Sequence, residues 1–149
     1  MKIALGCDHG GYNLKQAILE HLEKKGIEYK DFGCYSIESC DYPDFAEKVA
    51  ESIVKGEYDC GILVCGTGIG ISIAANKVPG IRAAHCTDTF SAKAARQHNN
   101  ANILALGERI TGIGLALDIV DAYLEAEFEG GRHQRRIDKI AEIEKKYSK

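Results

Sequence analysis

At 149 residues, 45% of them hydrophobic and 28% charged, the chain has the size and balance of one compact domain that buries its own core. A formal net charge of -3, with acids and bases interspersed, excludes the global positive field of a general nucleic-acid binder. The apolar run Met1 to Cys7 is too short for a signal peptide, and no stretch approaches the roughly 20 apolar residues of a membrane span, so a cytoplasmic protein without membrane contact is expected.

Lys2 to Cys7 reads as a buried strand. It empties into Cys7-Asp8-His9-Gly10-Gly11, a carboxylate and an imidazole on a turn whose glycines admit a ligand close to the backbone, although Asp8 also suits a helix cap. Leu14, Ile18, Leu19 and Leu22 follow at helical spacing, Glu28 to Phe32 reads as a second strand, and Phe45, Val49, Ile53 and Val54 mark a second helix entered near Pro43.

Cys60 to Cys65 is the third strand and leads into Gly66-Thr67-Gly68-Ile69-Gly70-Ile71-Ser72, with a helix expected over Ile73 to Asn76. Three glycines at alternate positions before a helix expose backbone N–H groups in a nest for a phosphate or a developing oxyanion. The segment lacks the Gly-Lys-Ser/Thr of a P-loop, and a dinucleotide G-x-G-x-x-G would need glycine where Ile71 stands, so a small anion is expected. Cys65, at a strand end beside a helix N-terminus, is placed where a thiolate base or nucleophile is favoured. The other five cysteines, with no C-x-x-C pair, read as reduced thiols, mostly in the core.

Ile81 to Cys86 and Asn102 to Leu106 are the fourth and fifth strands. Between them the polar run Arg96 to Asn102 carries His98, an imidazole suited to proton exchange or simply a surface residue at a helix end. Two helical stretches, Gly112 to Glu125 and about Arg132 to Lys146, close the chain with no strand between them. Within Glu129 to Arg136, Arg132 and Arg136 are four apart, hence on one helix face and spaced to grip one phosphate. Alternating strands and helices, with continuous rather than every-other hydrophobicity in the strands, predict a three-layer α/β/α Rossmann-like fold. Its sheet is parallel and five-stranded, with an extra C-terminal helix and ligands at the carboxyl ends of the strands.

A thiol base, an oxyanion nest, an imidazole and an arginine clamp, without metal-ligand spacing, suit proton abstraction beside a carbonyl on a phosphorylated substrate. Aldose–ketose isomerisation is one such reaction, with no metal and no cofactor expected. The same groups fit a non-catalytic phosphosugar sensor, and Cys65 with His98 also fits a thiol hydrolase.

The segments Gly6 to Gly11, Asp41-Tyr42-Pro43, Cys65 to Lys77, Arg96 to Asn99 and Gly130 to Arg136 resemble the ribose-5-phosphate isomerase type B family over nearly the whole chain. The resemblance implies that Cys65 moves the proton between C1 and C2 through a cis-enediolate, with the backbone from Gly66 through Thr67, Gly68 and Ile69 to Gly70 stabilising the oxyanion. It implies ring opening by His98, proton handling by Asp8 and Thr67, a phosphate grip from His9, Arg132 and Arg136, support from Arg109 and Asn99, and a pocket wall from Tyr42. Members without the cysteine carry a glutamate at the position of Ile71, so this chain resembles the cysteine type. Allose-6-phosphate and galactose-6-phosphate isomerases are relatives. The resemblance further implies homodimers, sometimes paired into tetramers, in which His98 and the C-terminal arginines reach the Cys65 pocket of the other subunit.

Overall fold

Side chains alternate across a strand, so a strand buried on both sides must feed two cores. That division is visible in β1 (Lys2–Cys7), β3 (Cys60–Cys65) and β5 (Ile103–Gly107) of the computed structural model, which describes residues 1–148. Ile3, Leu5, Ile62, Val64, Leu104 and Leu106 enter one core, while Ala4, Leu63, Cys65, Ile103 and Ala105 enter the other. With β2 (Glu28–Asp31) and β4 (Ala83–His85) at the edges, the strands form one parallel sheet in the order β2-β1-β3-β5-β4. The edge strands are shorter than the expected runs Glu28 to Phe32 and Ile81 to Cys86, and β2 alternates exposed with half-buried positions as its successive side chains point to opposite faces of the sheet.

Helices α1 (Tyr12–Lys24), α4 (Thr89–Gln97) and α5 (Ile113–Glu125) cover the first face through Leu14, Ile18 and Leu22, through Ala92 and Ala95, and through Ala116, Ile119, Val120 and Tyr123. Helices α2 (Tyr42–Val54) and α3 (Ile69–Ala75) cover the second through Ala46, Val49 and Ala50, and through Ile71 and Ala75. The ends follow capping chemistry. Pro43 opens α2, the Asp88 carboxylate accepts the Ser91 N–H at 2.7 Å to start α4, and Glu108, far along the chain, accepts the Leu14 N–H at 2.6 Å in the first turn of α1. The last helix, α6 (Arg132–Tyr147), buries only Ile137 and leaves Ile140 and Ile143 exposed. Among the described residues no helix is long and apolar enough to cross a membrane.

All six cysteines are free thiols, five of them buried. Burial pushes the Cys7 thiol up to about 12 and the Cys60 and Cys86 thiols up to about 11, from an ordinary 9.0 to which each returns on unfolding. Raised folded values mean that this contribution is complete below pH 9 and is lost as pH climbs towards 11, by about 3 kcal/mol per thiol. Urea unfolding midpoints are therefore expected to fall steeply from about pH 9 to 11. A midpoint unchanged over that range would contradict the burial of these thiols.

Candidate active site

Between β1 and β3 the chain leaves the sheet in opposite directions, since β1 is followed by its neighbour β2 on one side and β3 by β4 on the other. Loops diverge at such a point and leave a crevice beyond the carboxyl ends. Two of the expected segments meet there. Asp8 is buried, and its Oδ1 accepts the Gly10 N–H at 2.9 Å, so it caps a short 3-10 turn over His9–Gly11 as well as facing the crevice. His9 Nδ1 accepts the Cys40 N–H at 3.2 Å. A neutral ring held this way carries its proton on Nε2, which makes His9 an outward hydrogen-bond donor suited to a phosphate or hydroxyl oxygen.

Across the crevice, Cys65 ends β3 and is buried, and its Sγ accepts the Gly68 N–H at 3.1 Å. Gly68 makes the reversal alone, at φ 82, a conformation in which a side chain is strained. As a result α3 starts at Ile69 and not beyond Ser72, and the loop shrinks to Gly66, Thr67 and Gly68. The nest is correspondingly smaller than its three glycines suggest. The Gly68 amide is taken by the sulfur and the Ile69 amide by Thr67 Oγ1 at 3.2 Å, whereas the N–H groups of Gly66, Thr67 and Gly70 have no partner among the described residues.

Two side chains frame this loop. Arg109, whose N–H donates to Gly66 O at 3.0 Å, lays its guanidinium over Gly66, so close that a Cβ on that glycine would sit 3.3 Å from Nη1. Tyr42, at the start of α2, covers Gly70, where a Cβ would meet the ring at 2.8 Å. Gly70 thus lies in the first turn of α3 and makes room for the tyrosine. Asp8, His9, Tyr42, Cys65, Thr67 and Arg109 are therefore gathered at one end of the sheet.

His98, Asn99, Arg132 and Arg136 are not. His98 caps the C-terminal end of α4, ahead of the amino end of β5, whereas Cys65 is in register with Gly107 at the carboxyl end. The length of β5 separates them, roughly 13 Å at about 3.3 Å per residue. The His98 segment is pinned at its own end. Arg82 donates from Nε to Asn99 O and from Nη2 to Asn100 O, both at 2.9 Å, and Tyr123 OH donates to Ala101 O at 2.7 Å. The Glu129 N–H donates to Gln97 O at 3.0 Å, which brings the start of α6 and its exposed Arg132 and Arg136 alongside His98. The expected site residues thus fall into two groups at opposite ends of the sheet, and no Cys65–His98 nucleophile pair forms within one chain.

Sequence reasoning missed three neighbours. His85, at the end of β4, packs its ring against Gly68, and its buried Nε2 has no hydrogen-bond partner among the described residues. Arg82 serves the His98 segment from the far side of a crossover, and no spacing signals it. Glu129 faces both His98 and His133, at 3.8 and 3.5 Å from their Nε2 atoms.

The ribose/galactose isomerase family model matches residues 3–140. The chain belongs to the ribose/galactose isomerase family. Relatives within that family are similar along their whole length. Ribose-5-phosphate isomerase B of Escherichia coli (strain K12) is 54% identical over 145 residues, 97% of each chain. The solved structure of Clostridium thermocellum ribose-5-phosphate isomerase B is 65% identical with a TM-score of 0.98, covering 99% of this chain and 100% of that one. That of Mycoplasma genitalium ribose-5-phosphate isomerase B with bound ribulose-5-phosphate is 49% identical with a TM-score of 0.92, covering 97% and 96%. The parallel sheet with helices on both faces is thus the isomerase family's fold.

Proposed function

We propose that this chain is an aldose–ketose isomerase that interconverts ribose 5-phosphate and ribulose 5-phosphate, with each active site assembled from two copies. The observation that carries the reading is the β1/β3 switch point, where a buried cysteine sulfur that accepts a backbone N–H shares the carboxyl end of the sheet with Asp8, His9 and a loop of unpartnered amides. In this reading Cys65, as thiolate, takes the proton from C2 of the open-chain aldose. Electron density moves onto the carbonyl oxygen to give a cis-enediolate, and the thiol returns the proton to C1. The amides of Gly66, Thr67 and Gly70 stabilise the oxyanion, while Thr67 and the remaining Asp8 oxygen pass the proton of the C2 hydroxyl to O1, leaving a hydroxyl at C1 and the ketone at C2.

Ring opening by His98 and phosphate binding by Arg132 and Arg136 need a second copy, because one chain keeps them beyond reach of its own Cys65. Surface chemistry supports the pairing. Ile69 and Ile73 are exposed on α3 beside the Cys65 loop, and Ile140 and Ile143 are exposed on α6 beside the arginines. A twofold-related copy that buried these stripes would join the half-sites, with His9 and Arg109 meeting the substrate from one chain and Arg132, Arg136 and Asn99 from the other.

Turnover of ribose 5-phosphate by the purified protein with a chelator present is the direct test, run beside allose 6-phosphate and galactose 6-phosphate. Fast ketose formation from ribose 5-phosphate is expected, and stoichiometric binding without turnover would make the protein a phosphosugar sensor. In the same assay Arg132→Ala is expected to raise KM about tenfold to a hundredfold, from a charge-assisted contact of about 1.5–3 kcal/mol, while leaving any unphosphorylated aldose unaffected. Equal loss on both substrates would remove Arg132 from the phosphate grip.

A further inference from the structure

His98 stacks on His133 with ring centroids 4.4 Å apart and planes within 14°. Their Nε2 atoms converge on one oxygen, Glu129 Oε1, at 3.8 and 3.5 Å, and all three ligand atoms lie within 4.8 Å of one another. At these separations the carboxylate makes no good hydrogen bond to either ring. They are close to the spacing of donors around a tetrahedral zinc-type ion, about 3.3 Å when each bond is about 2.0–2.1 Å. Two imidazoles and one carboxylate, partly open to solvent, leave a fourth position for water, and the donor set is of the kind that binds zinc-like ions. The cluster is also held from behind, through the Glu129 N–H on Gln97 O and the arginine and tyrosine bonds that fix residues 99–101.

We propose that His98, Glu129 and His133 form a binding site for a divalent transition-metal ion of the zinc type, and that its occupancy inhibits the isomerase by withdrawing the His98 imidazole from proton transfer. The ion here is an inhibitor and no part of the reaction. The inhibitory half of the proposal rests on the reading of His98 as the ring-opening group. The binding half rests on geometry alone.

The cysteine sulfurs offer zinc a competing site, so the test separates nitrogen and oxygen ligation from thiolate ligation. Cobalt(II) is titrated into the full-length protein and followed by its visible d–d absorption, which reads the site whether or not the protein turns over. Saturation at one ion per chain without a thiolate-to-cobalt charge-transfer band, with displacement by zinc, is expected. Zinc inhibition of ribose 5-phosphate turnover, reversed by a chelator, is then compared in the wild type, Glu129→Gln and His133→Asn, each relative to its own metal-free rate. Loss of a ligand is expected to weaken both cobalt binding and zinc inhibition at least about tenfold in either variant. A thiolate charge-transfer band, or equal metal affinity in all three proteins, would overturn the site. Cobalt binding that follows the variants without any inhibition by zinc would overturn the inhibitory role.

Discussion

Replacing Cys65 by serine is expected to lower kcat for ribose 5-phosphate by about a thousandfold or more, since a positioned general base contributes about 10²–10⁴ and an alcohol gives up its proton far less readily than a thiol. The fold should survive. The side chain sits at the end of β3, and the smaller hydroxyl still accepts from the Gly68 amide that now donates to Sγ at 3.1 Å. Substrate affinity should change little, because the groups assigned to the phosphate, His9, Arg132 and Arg136, lie elsewhere. The pattern of lost kcat with retained binding, read by calorimetry against steady-state kinetics, is the mark of a group that acts on the reacting carbon. Turnover within about tenfold of wild type would reject Cys65 as the base, and the proton transfer would then have to be sought at Asp8.

The second large effect is a recovery. Cys65→Ser and His98→Asn are each expected to be nearly inactive alone, yet mixing them under conditions that allow subunit exchange should restore about a quarter of wild-type activity. The reason is arithmetic on a twofold dimer: about half of the dimers are mixed, and in each of these one of two sites pairs an intact Cys65 with an intact His98. The expectation follows from placement. Cys65 is in register with Gly107 at one end of β5, and His98 precedes Ile103 at the other. A site contained in one chain would show no recovery on mixing, so assays before and after exchange separate the two arrangements. No change in the hydrodynamic size of either variant should accompany the effect.

Much of this was legible in the order of residues. The five strands and the helices between them appear as apolar runs and helical spacings, because burial selects side chains locally and leaves the same record in any chain. The reactive turn after β1 and the glycine loop after β3 were legible for a related reason, since few residue types tolerate backbone that close to a ligand. Boundaries were less so. The helix expected from Ile73 begins at Ile69, since the single left-handed residue Gly68 completes the turn and no run of loop residues is required. The glycine at position 70 keeps its amide in the nest, but its lack of a side chain is also required by Tyr42 from α2, a contact set by how closely that helix packs.

The sequence by itself determined the parallel α/β architecture, the placing of chemistry at strand ends and the identity of the cysteine, histidine and arginine groups. Only the tertiary structure decided which of them share an end of the sheet: Arg109 with Cys65, and His98 with Arg132, Glu129 and His133. Periodicity records whether a residue is buried. It does not record which crossover lies between two strands, and it is the crossovers that set the distance between residues far apart in the chain.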